Sequence, residues 1–222
     1  MTKHQAAASS EPIPQFDTKF QGKFRDLVLW RRDVRRFRTE PVDDQLICNL
    51  IKLASHAPSV GNSQPWRFVR VDDPKRRAKV SRSFERANKD ALNGYDGERR
   101  ERYAQLKLEG LSSAPVQLAV FSDSETDCGA GLGRQTMPET LQYSVVGAVH
   151  TLWLAARSHG LGLGWVSIIE PDVVSAALDV PDKWSLVAYL CIGWPEENHN
   201  DPELVRHGWQ ARRPLDDILF NR

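Results

Sequence analysis

A short basic cluster at residues 31–37 has the clearest chemical capacity in this sequence. It holds four arginines and one aspartate: Arg31, Arg32, Asp33, Arg35 and Arg36. A guanidinium group keeps its charge at neutral pH and offers two parallel N–H donors, which match a phosphate or a carboxylate. The formal net charge of the whole chain is only +1, so the positive charge is concentrated locally. The cluster predicts an anion-binding site, and a solvated basic surface is the alternative.

A polar loop is predicted at residues 57–66, between a helix and a strand. It reads Ala-Pro-Ser-Val-Gly-Asn-Ser-Gln-Pro-Trp. A helix–strand connection does not need ten residues, and loops with this many hydrogen-bonding groups often bind a ligand. The alternative is that the Ser and Asn side chains only satisfy the backbone groups of a turn.

A predicted strand at residues 161–169 contains glycines at alternating positions, Gly162 and Gly164, and follows Gly160. Glycine weakens a strand, so it usually occurs where a backbone or a ligand comes close. A flat ring stacked on the strand would explain the spacing, and so would close packing of a helix.

The remaining pattern predicts the elements that hold these residues in place. Apolar residues at helical spacing predict helices at residues 20–30, 46–54, 138–159 and 171–178, and alternating or apolar runs predict further strands at 66–71, 115–121 and 186–192. The helix at 138–159 is apolar enough to be buried on more than one side, for which a dimer interface is one location. The charged residues 74–110 are predicted to form one or two surface helices, broken at Asn93-Gly94, that act as a lid. Ordinary solvated helices are the alternative.

Composition limits the class of protein. With 222 residues and 41% hydrophobic content, the chain predicts a single domain over residues 20–222, preceded by a flexible extension at residues 1–19. No apolar run approaches the roughly 18 residues of a membrane helix, and the N-terminal residues do not resemble a secretory signal. Three distant cysteines argue against disulfides and zinc, so we expect a cytoplasmic protein. The near-zero net charge argues against a nucleic-acid partner.

Four stretches of the sequence together resemble the nitroreductase superfamily, and within it the BluB branch, the aerobic 5,6-dimethylbenzimidazole synthases. They are Arg31–Arg35, Ala57–Gly61 with Gln64-Pro65-Trp66, Leu132-Gly133-Arg134, and Leu152–Arg157 leading into Gly164–Ile168. The resemblance runs from about Asp26 to Leu219. An acid at position 33 together with Trp165-Val166-Ser167 favours the branch. The pair Asn62-Ser63 departs from it, because BluB proteins often have two bulky apolar residues there, and it matches ordinary nitroreductases.

The resemblance implies an α+β fold with a central, mostly antiparallel sheet flanked by helices, in an intertwined homodimer that holds FMN at each subunit interface. It assigns the phosphate to Arg31, Arg35 and Arg212, and Arg32 either to the phosphate or to the edge of the isoalloxazine ring. The ribityl chain is assigned to the polar loop, and the ring to the glycine-containing strand. The full set of implied cofactor-binding residues is Arg31, Arg32, Asp33, Val34, Arg35, Ser59, Gly61, Asn62, Ser63, Gln64, Val166, Ser167, Ile168 and Arg212.

The resemblance also implies an activity. Reduced FMN is both cofactor and substrate, reacts with O2 and is cut to 5,6-dimethylbenzimidazole, the lower ligand of cobalamin, with release of erythrose 4-phosphate. A separate flavin reductase is expected to supply the reduced FMN. The implied catalytic residues are Asp33, for proton transfer, and Ser167, facing flavin N5. We expect the neighbouring cations to keep Asp33 ionised, and the alternative is that Asp33 only orients the arginines.

Two other functions are compatible with the sequence. An ordinary FMN-dependent NAD(P)H nitroreductase would recycle the flavin, and Asn62-Ser63 favours this alternative. A non-catalytic flavin-binding module would give Asp33 and Ser167 no chemical task.

Overall fold

The computed structural model of the protein describes residues 12–222. Within this range the chain forms four strands and seven α-helices: α1 (Thr18–Trp30), α2 (Asp44–Ala54), β1 (Trp66–Arg70), α3 (Pro74–Asn93), α4 (Gly97–Gln105), β2 (Val116–Asp123), α5 (Thr140–Ser158), β3 (Gly162–Val166), α6 (Pro171–Leu178), β4 (Trp184–Gly193) and α7 (Glu203–Arg206). Most of the predicted N-terminal extension lies outside the described residues. Helix α1 begins after Asp17, whose side chain accepts a hydrogen bond from the Phe20 N–H at 2.7 Å.

The strands form one sheet in the order β1-β2-β4-β3, and all three pairings are antiparallel. The prediction of an α+β fold with a mostly antiparallel sheet is therefore confirmed. The basic cluster adds to the β3 side of this sheet, because Asp33 forms a parallel bridge with Leu163. Only Arg31 caps helix α1, and the residues that follow it run in an extended conformation along β3.

The two faces of the sheet carry separate hydrophobic cores. Strand β2 lies where the alternating pattern predicts a strand, and it is buried at all eight positions, including the polar residues Gln117, Ser122 and Asp123. Its residues Leu118 and Val120 face α2 and α5, whereas Ala119 and Phe121 face α3 and α6. The protein is thus a helix–sheet–helix sandwich in which β2 and β4 are the central strands.

Helix α5 is the main helix of the first core, with eight buried residues. The prediction that it is buried on more than one side is confirmed by its contacts with α1, α2 and all four strands. Helix α1 differs, because none of its residues is buried. No helix in the described part of the chain is long and apolar enough to cross a membrane.

The charged region at residues 74–110 contains two helices, and Gly94 ends the first of them, as predicted. Helix α3 is more than a solvated cover, since Val80 and Phe84 belong to the second core and the helix packs on α6. Helix α4 has one buried residue, Tyr103. The outer part of the region is therefore α4 and the segments that flank it.

The glycines of β3 allow the basic cluster to lie directly on the strand. A Cβ atom at Gly162 would lie 2.8 Å from a Val34 methyl group, and one at Gly164 would lie 2.1 Å from the Val34 carbonyl oxygen. Neither distance is sterically possible. The explanation by a stacked flat ring is therefore wrong for these two glycines. Their partner is the extended segment at Val34, through its side chain at Gly162 and its carbonyl group at Gly164, rather than a helix.

We predict that Gly164→Ala lowers the free energy of unfolding by about 1–3 kcal/mol, because the added methyl group must displace the backbone at Val34. Urea unfolding measures this change. Gly22→Ala is the matched control, since its Cβ would meet no heavy atom within 4 Å. Alanine inside helix α1 should leave the stability unchanged or raise it by roughly 0.5–1 kcal/mol. Equal stabilities for Gly164→Ala and the wild type would show that the close approach is not needed.

Candidate active site

The Asp33 carboxylate fixes the basic cluster to β3. Its Oδ1 accepts a hydrogen bond from the Trp165 N–H at 2.8 Å, and its Oδ2 accepts one from Arg35 Nε at 2.9 Å. The neighbouring Val34 N–H donates to the Leu163 carbonyl at 3.1 Å. These bonds hold an acidic group against β3 at Trp165, two residues before Ser167.

The pKa of Asp33 is set by more than the neighbouring cations. Burial raises the pKa of this carboxyl group, and the opposing effects of Arg35, the Trp165 N–H and Arg31 are smaller. The cations thus favour the charged form, as expected, but desolvation, which disfavours it, is the larger effect. The side chain keeps 31% of its surface exposed, so a ligand can still reach it.

Three guanidinium groups of the predicted phosphate site come together. Arg31 lies over the Trp153 ring, 4.7 Å from its centroid. Burial lowers the pKa of Arg31, and the charge of Arg212 lowers it further against the opposing effect of Asp33. Burial and the charges of Arg31 and Arg212 also lower the pKa of Arg32. Within residues 12–222, none of these three arginines forms an ion pair.

Trp153 was not among the predicted site residues. Its ring face contacts the Arg31 guanidinium group, and its indole N–H donates a hydrogen bond to the Arg32 carbonyl at 3.2 Å. Its sequence context, an apolar helix, indicates core packing rather than a site. The one sequence signal for this role is that tryptophan is aromatic and can bind a cation through its ring face.

Arg32 and Arg35 are held by other parts of the chain. Arg32 donates to the Asn200 carbonyl at 2.6 Å, and its Nε is buried without a partner. Arg35 donates to Asp33 and, at 2.8 Å, to the Lys107 carbonyl, and its Nη1 lies 3.8 Å from Glu203. Arg35 is therefore placed to hold Asp33, and its assignment to the phosphate stays a prediction.

The predicted polar loop is a tight, strained turn over the N-terminal half of α5. The Val60 N–H donates to Ser144 Oγ at 3.1 Å, and the Gln64 N–H donates to Ser59 Oγ at 3.1 Å. Three residues have left-handed backbone conformations, Gly61 (φ 56°), Asn62 (φ 55°) and Gln64 (φ 45°). Such a conformation is costly for glutamine, and strain of this kind often marks a functional loop.

Ser63 is buried at 3% exposure, and its Oγ has no hydrogen-bond partner. Its carbonyl accepts a hydrogen bond from Thr126 Oγ1 at 3.1 Å. The glycine-rich loop after β2 covers the turn, because a Cβ at Gly129 would lie 2.3 Å from the Gly61 carbonyl oxygen. This supporting role was missed, although the glycine run itself signals a close approach.

Ser167 follows β3 directly and is exposed, whereas Val166 is buried and Ile168 is half-buried. In the part of the chain that the structure describes, the Ser167 hydroxyl makes no hydrogen bond. Its position after Trp165 puts it near the Asp33 carboxylate. The two predicted catalytic residues therefore lie at the same end of one strand.

The arginine cluster and the polar loop contact α5 at different places, Trp153 and Ser144. These positions are nine residues apart, which corresponds to about 13 Å along a helix. Among the described residues, no hydrogen bond or ion pair joins the two groups. A single chain thus presents two separate half-sites.

These half-sites fit the FMN that the sequence resemblance implies. Guanidinium groups without a carboxylate partner suit a dianionic phosphate. Buried polar atoms normally have hydrogen-bond partners, so the unpartnered Ser63 Oγ and Arg32 Nε indicate that a ligand completes their bonding. The residues would hold the phosphate at the arginine cluster and the polyol at the strained loop.

Comparison with solved structures shows the same fold. A crystal structure of oxidized iodotyrosine deiodinase bound to FMN and 3-iodo-L-tyrosine aligns with a TM-score of 0.68 at 26% identity, over 89% of this chain and 97% of the other. A BluB-like flavoprotein from Clostridium difficile 630 aligns with a TM-score of 0.67 at 21% identity, over 90% and 98% of the two chains.

Comparison of sequences gives a nearer likeness. The chain is 59% identical over 201 residues to a 5,6-dimethylbenzimidazole synthase of Rhodospirillum rubrum, which covers 90% of this chain and 95% of the relative. It is 47% identical to a protein of the same name from Rhodobacter capsulatus, over 90% and 97% of the two chains. The sequence profile of the nitroreductase family matches residues 28–194. By this match and these relatives, the chain belongs to the nitroreductase family.

Proposed function

We propose that this protein is a 5,6-dimethylbenzimidazole synthase that uses reduced FMN and O2 and releases erythrose 4-phosphate. The observation that carries the proposal is the Asp33 carboxylate, which is held at β3 by Arg35 and by the N–H of Trp165, two residues before Ser167. The two relatives at 59% and 47% identity that bear this name support it.

Asp33 is the group that moves a proton. A carboxylate with a raised pKa is a stronger base than an ordinary aspartate, and it holds a proton more readily once it has taken one. Each carboxyl oxygen accepts one hydrogen bond, from the Trp165 N–H or from Arg35, and keeps a further lone pair that can take a proton. The burial that raises the pKa of Asp33 thus favours a role in proton transfer.

The other residues bind and orient the flavin. Reduced FMN supplies the electrons for the reaction with O2 and the carbon atoms of the product. Arg31 and Arg212 neutralise its phosphate, while the turn around Asn62 orients its polyol chain. Ser167 and the backbone N–H groups that follow β3 donate to the ring edge. Helix α4 excludes water, which protects reactive species from hydrolysis.

We further propose that the active protein is a homodimer in which each site combines the arginine cluster of one chain with the polar loop of the other. The two half-sites of one chain are not joined by hydrogen bonds, as described above. Helix α1 has no buried residue and exposes apolar side chains along its length, including Phe20, Phe24 and Trp30. Contiguous apolar surface of this kind marks a protein interface.

We expect the protein to sediment at about twice its chain mass of 25.1 kDa. Phe24→Asp should shift this equilibrium toward the monomer, because a charge replaces an apolar contact. Lys19→Asp, on the same helix, changes the charge without removing apolar surface and is the control. A wild-type protein that sediments as a monomer would contradict the shared site.

We predict that Asp33→Asn binds FMN within a few-fold of the wild-type affinity but forms 5,6-dimethylbenzimidazole at least ~100-fold more slowly. Asparagine can still accept the Trp165 hydrogen bond but cannot take a proton. Incubation with reduced FMN under air, followed by chromatography and mass analysis, measures both the product and the remaining flavin. Undiminished product would refute the role of Asp33. Recovery of all FMN from the wild type would instead favour an ordinary nitroreductase.

The raised pKa of Asp33 also predicts a pH dependence of stability. Between the ordinary aspartate pKa of about 3.9 and the raised value, the folded state binds a proton that the unfolded state has released. The contribution of Asp33 to the free energy of unfolding therefore falls as pH rises through this window. The stability of the wild type minus that of Asp33→Asn should decrease from pH 4 to pH 7 in urea unfolding. A difference that grows with pH would contradict the direction of the shift.

A further inference from the structure

Three aromatic side chains join the outer helix α4 to the C-terminal segment, and we call them the aromatic clasp: Tyr95, Tyr103 and Trp209. The ring centroids of Tyr95 and Tyr103 are 5.1 Å apart. Trp209 meets both rings edge-on, at 5.4 Å from Tyr95 and 6.1 Å from Tyr103. Edge-to-face contacts at these distances are attractive beyond the area that they bury.

Cationic side chains of α4 strengthen the same contact. The guanidinium group of Arg99 lies 5.3 Å from the centroid of the Trp209 ring, within the range of a cation–π interaction. Arg102 donates a hydrogen bond to the Gly208 carbonyl at 2.8 Å. Helix α4 therefore contacts both the backbone at Gly208 and the side chain of Trp209.

The aromatic clasp is anchored by hydrogen bonds both to helix α3 and within the C-terminal segment. Tyr103 is only 7% exposed, and its hydroxyl donates to Asn88 Oδ1 of α3 at 2.7 Å. The backbone N–H of Trp209 donates a hydrogen bond to the Leu204 carbonyl at 2.9 Å. Beyond Trp209 every residue to the end of the chain is exposed, so Trp209 is the last residue of the chain that is partly buried. Arg212 lies three residues further on.

We propose that Trp209 is a positioning residue for Arg212, and that the aromatic clasp couples the placement of α4 to binding of the flavin phosphate. The inference rests on the proposed function, which assigns the phosphate to Arg212. A segment that is otherwise exposed can present a guanidinium group accurately only if a nearby residue is anchored. Since coupling between two sites is reciprocal, phosphate binding also stabilises the position of α4.

The experiment compares the binding of FMN and riboflavin, which lacks the phosphate, to the full-length protein by flavin fluorescence. Arg212→Ala should weaken FMN binding by about 10–100-fold, as expected for a hydrogen bond to a charged group. Trp209→Ala should weaken FMN binding by at least about fivefold, in the range of coupling between sites. Riboflavin binding should stay within twofold of the wild-type value in both variants.

The double variant tests whether Trp209 acts through Arg212. Trp209→Ala combined with Arg212→Ala should bind FMN no more weakly than Arg212→Ala alone, because residues that act as a unit are not additive. Trp209→Phe keeps an aromatic ring in the clasp and should retain most of the FMN affinity. Tyr95→Ala removes the partner on the lid side and should reproduce the loss of FMN affinity, which also covers the case that Trp209→Ala does not fold.

Three results would overturn the inference. Equal losses of FMN and riboflavin affinity in Trp209→Ala would show that the clasp only stabilises the fold. Additive losses in the double variant would show that Trp209 acts independently of Arg212. Unchanged FMN binding in Arg212→Ala would refute the phosphate assignment itself, whereas a loss in Arg212→Ala without one in Trp209→Ala or Tyr95→Ala would refute only the role of the clasp.

Discussion

The two hydrogen bonds of the Asp33 carboxylate are the interaction on which the rest of the site depends. A carboxylate in a largely desolvated position is unfavourable unless its oxygens are bonded. The Trp165 N–H and Arg35 satisfy them, and in doing so they fix the basic cluster to the edge of the sheet. Arg35 also reaches the Lys107 carbonyl, which follows α4. One acidic side chain thereby connects the sheet, the arginines and the segment that follows α4.

The charges around this carboxylate are not balanced within the chain. The charge of Arg212 lowers the pKa of both Arg31 and Arg32, and the charge of Arg31 also lowers the pKa of Arg32. This repulsion raises the free energy of the folded chain. A bound dianion would remove it. Ligand binding would therefore relieve a repulsion that is present in the unliganded fold. This relief makes phosphate binding more favourable without any change of shape.

Much of the fold could be predicted from the sequence because its signals are local. The strand β2, the periodic helix α5 and the break at Gly94 follow from residue pattern alone. The residue types of the site could also be identified from the sequence, because few structural roles need four arginines and an aspartate within seven positions. The resemblance of the motifs to a known family extended this to the cofactor and the reaction.

The features that could not be predicted depend on long-range packing. The neighbouring cations were expected to keep Asp33 ionised, but the larger effect of its burial against β3, which raises its pKa, is not visible in the local sequence. The glycine spacing of β3 was compatible with a stacked ring or a packed helix, whereas the structure places the extended segment at Val34 there. In the sequence, Trp153 and Trp209 resemble ordinary apolar residues. The tertiary contacts show that Trp153 packs against Arg31 and that Trp209 packs against helix α4.

The bond between Asp33 and Trp165 spans 132 positions of the chain. Contacts so distant in sequence form late in folding, because the entropy of closing a long loop must be overcome before they contribute. An incomplete polypeptide emerging from the ribosome therefore lacks the acidic centre until β3 has been synthesised and paired with β4. The capacity for chemistry thus arises in the same cooperative step that completes the native state.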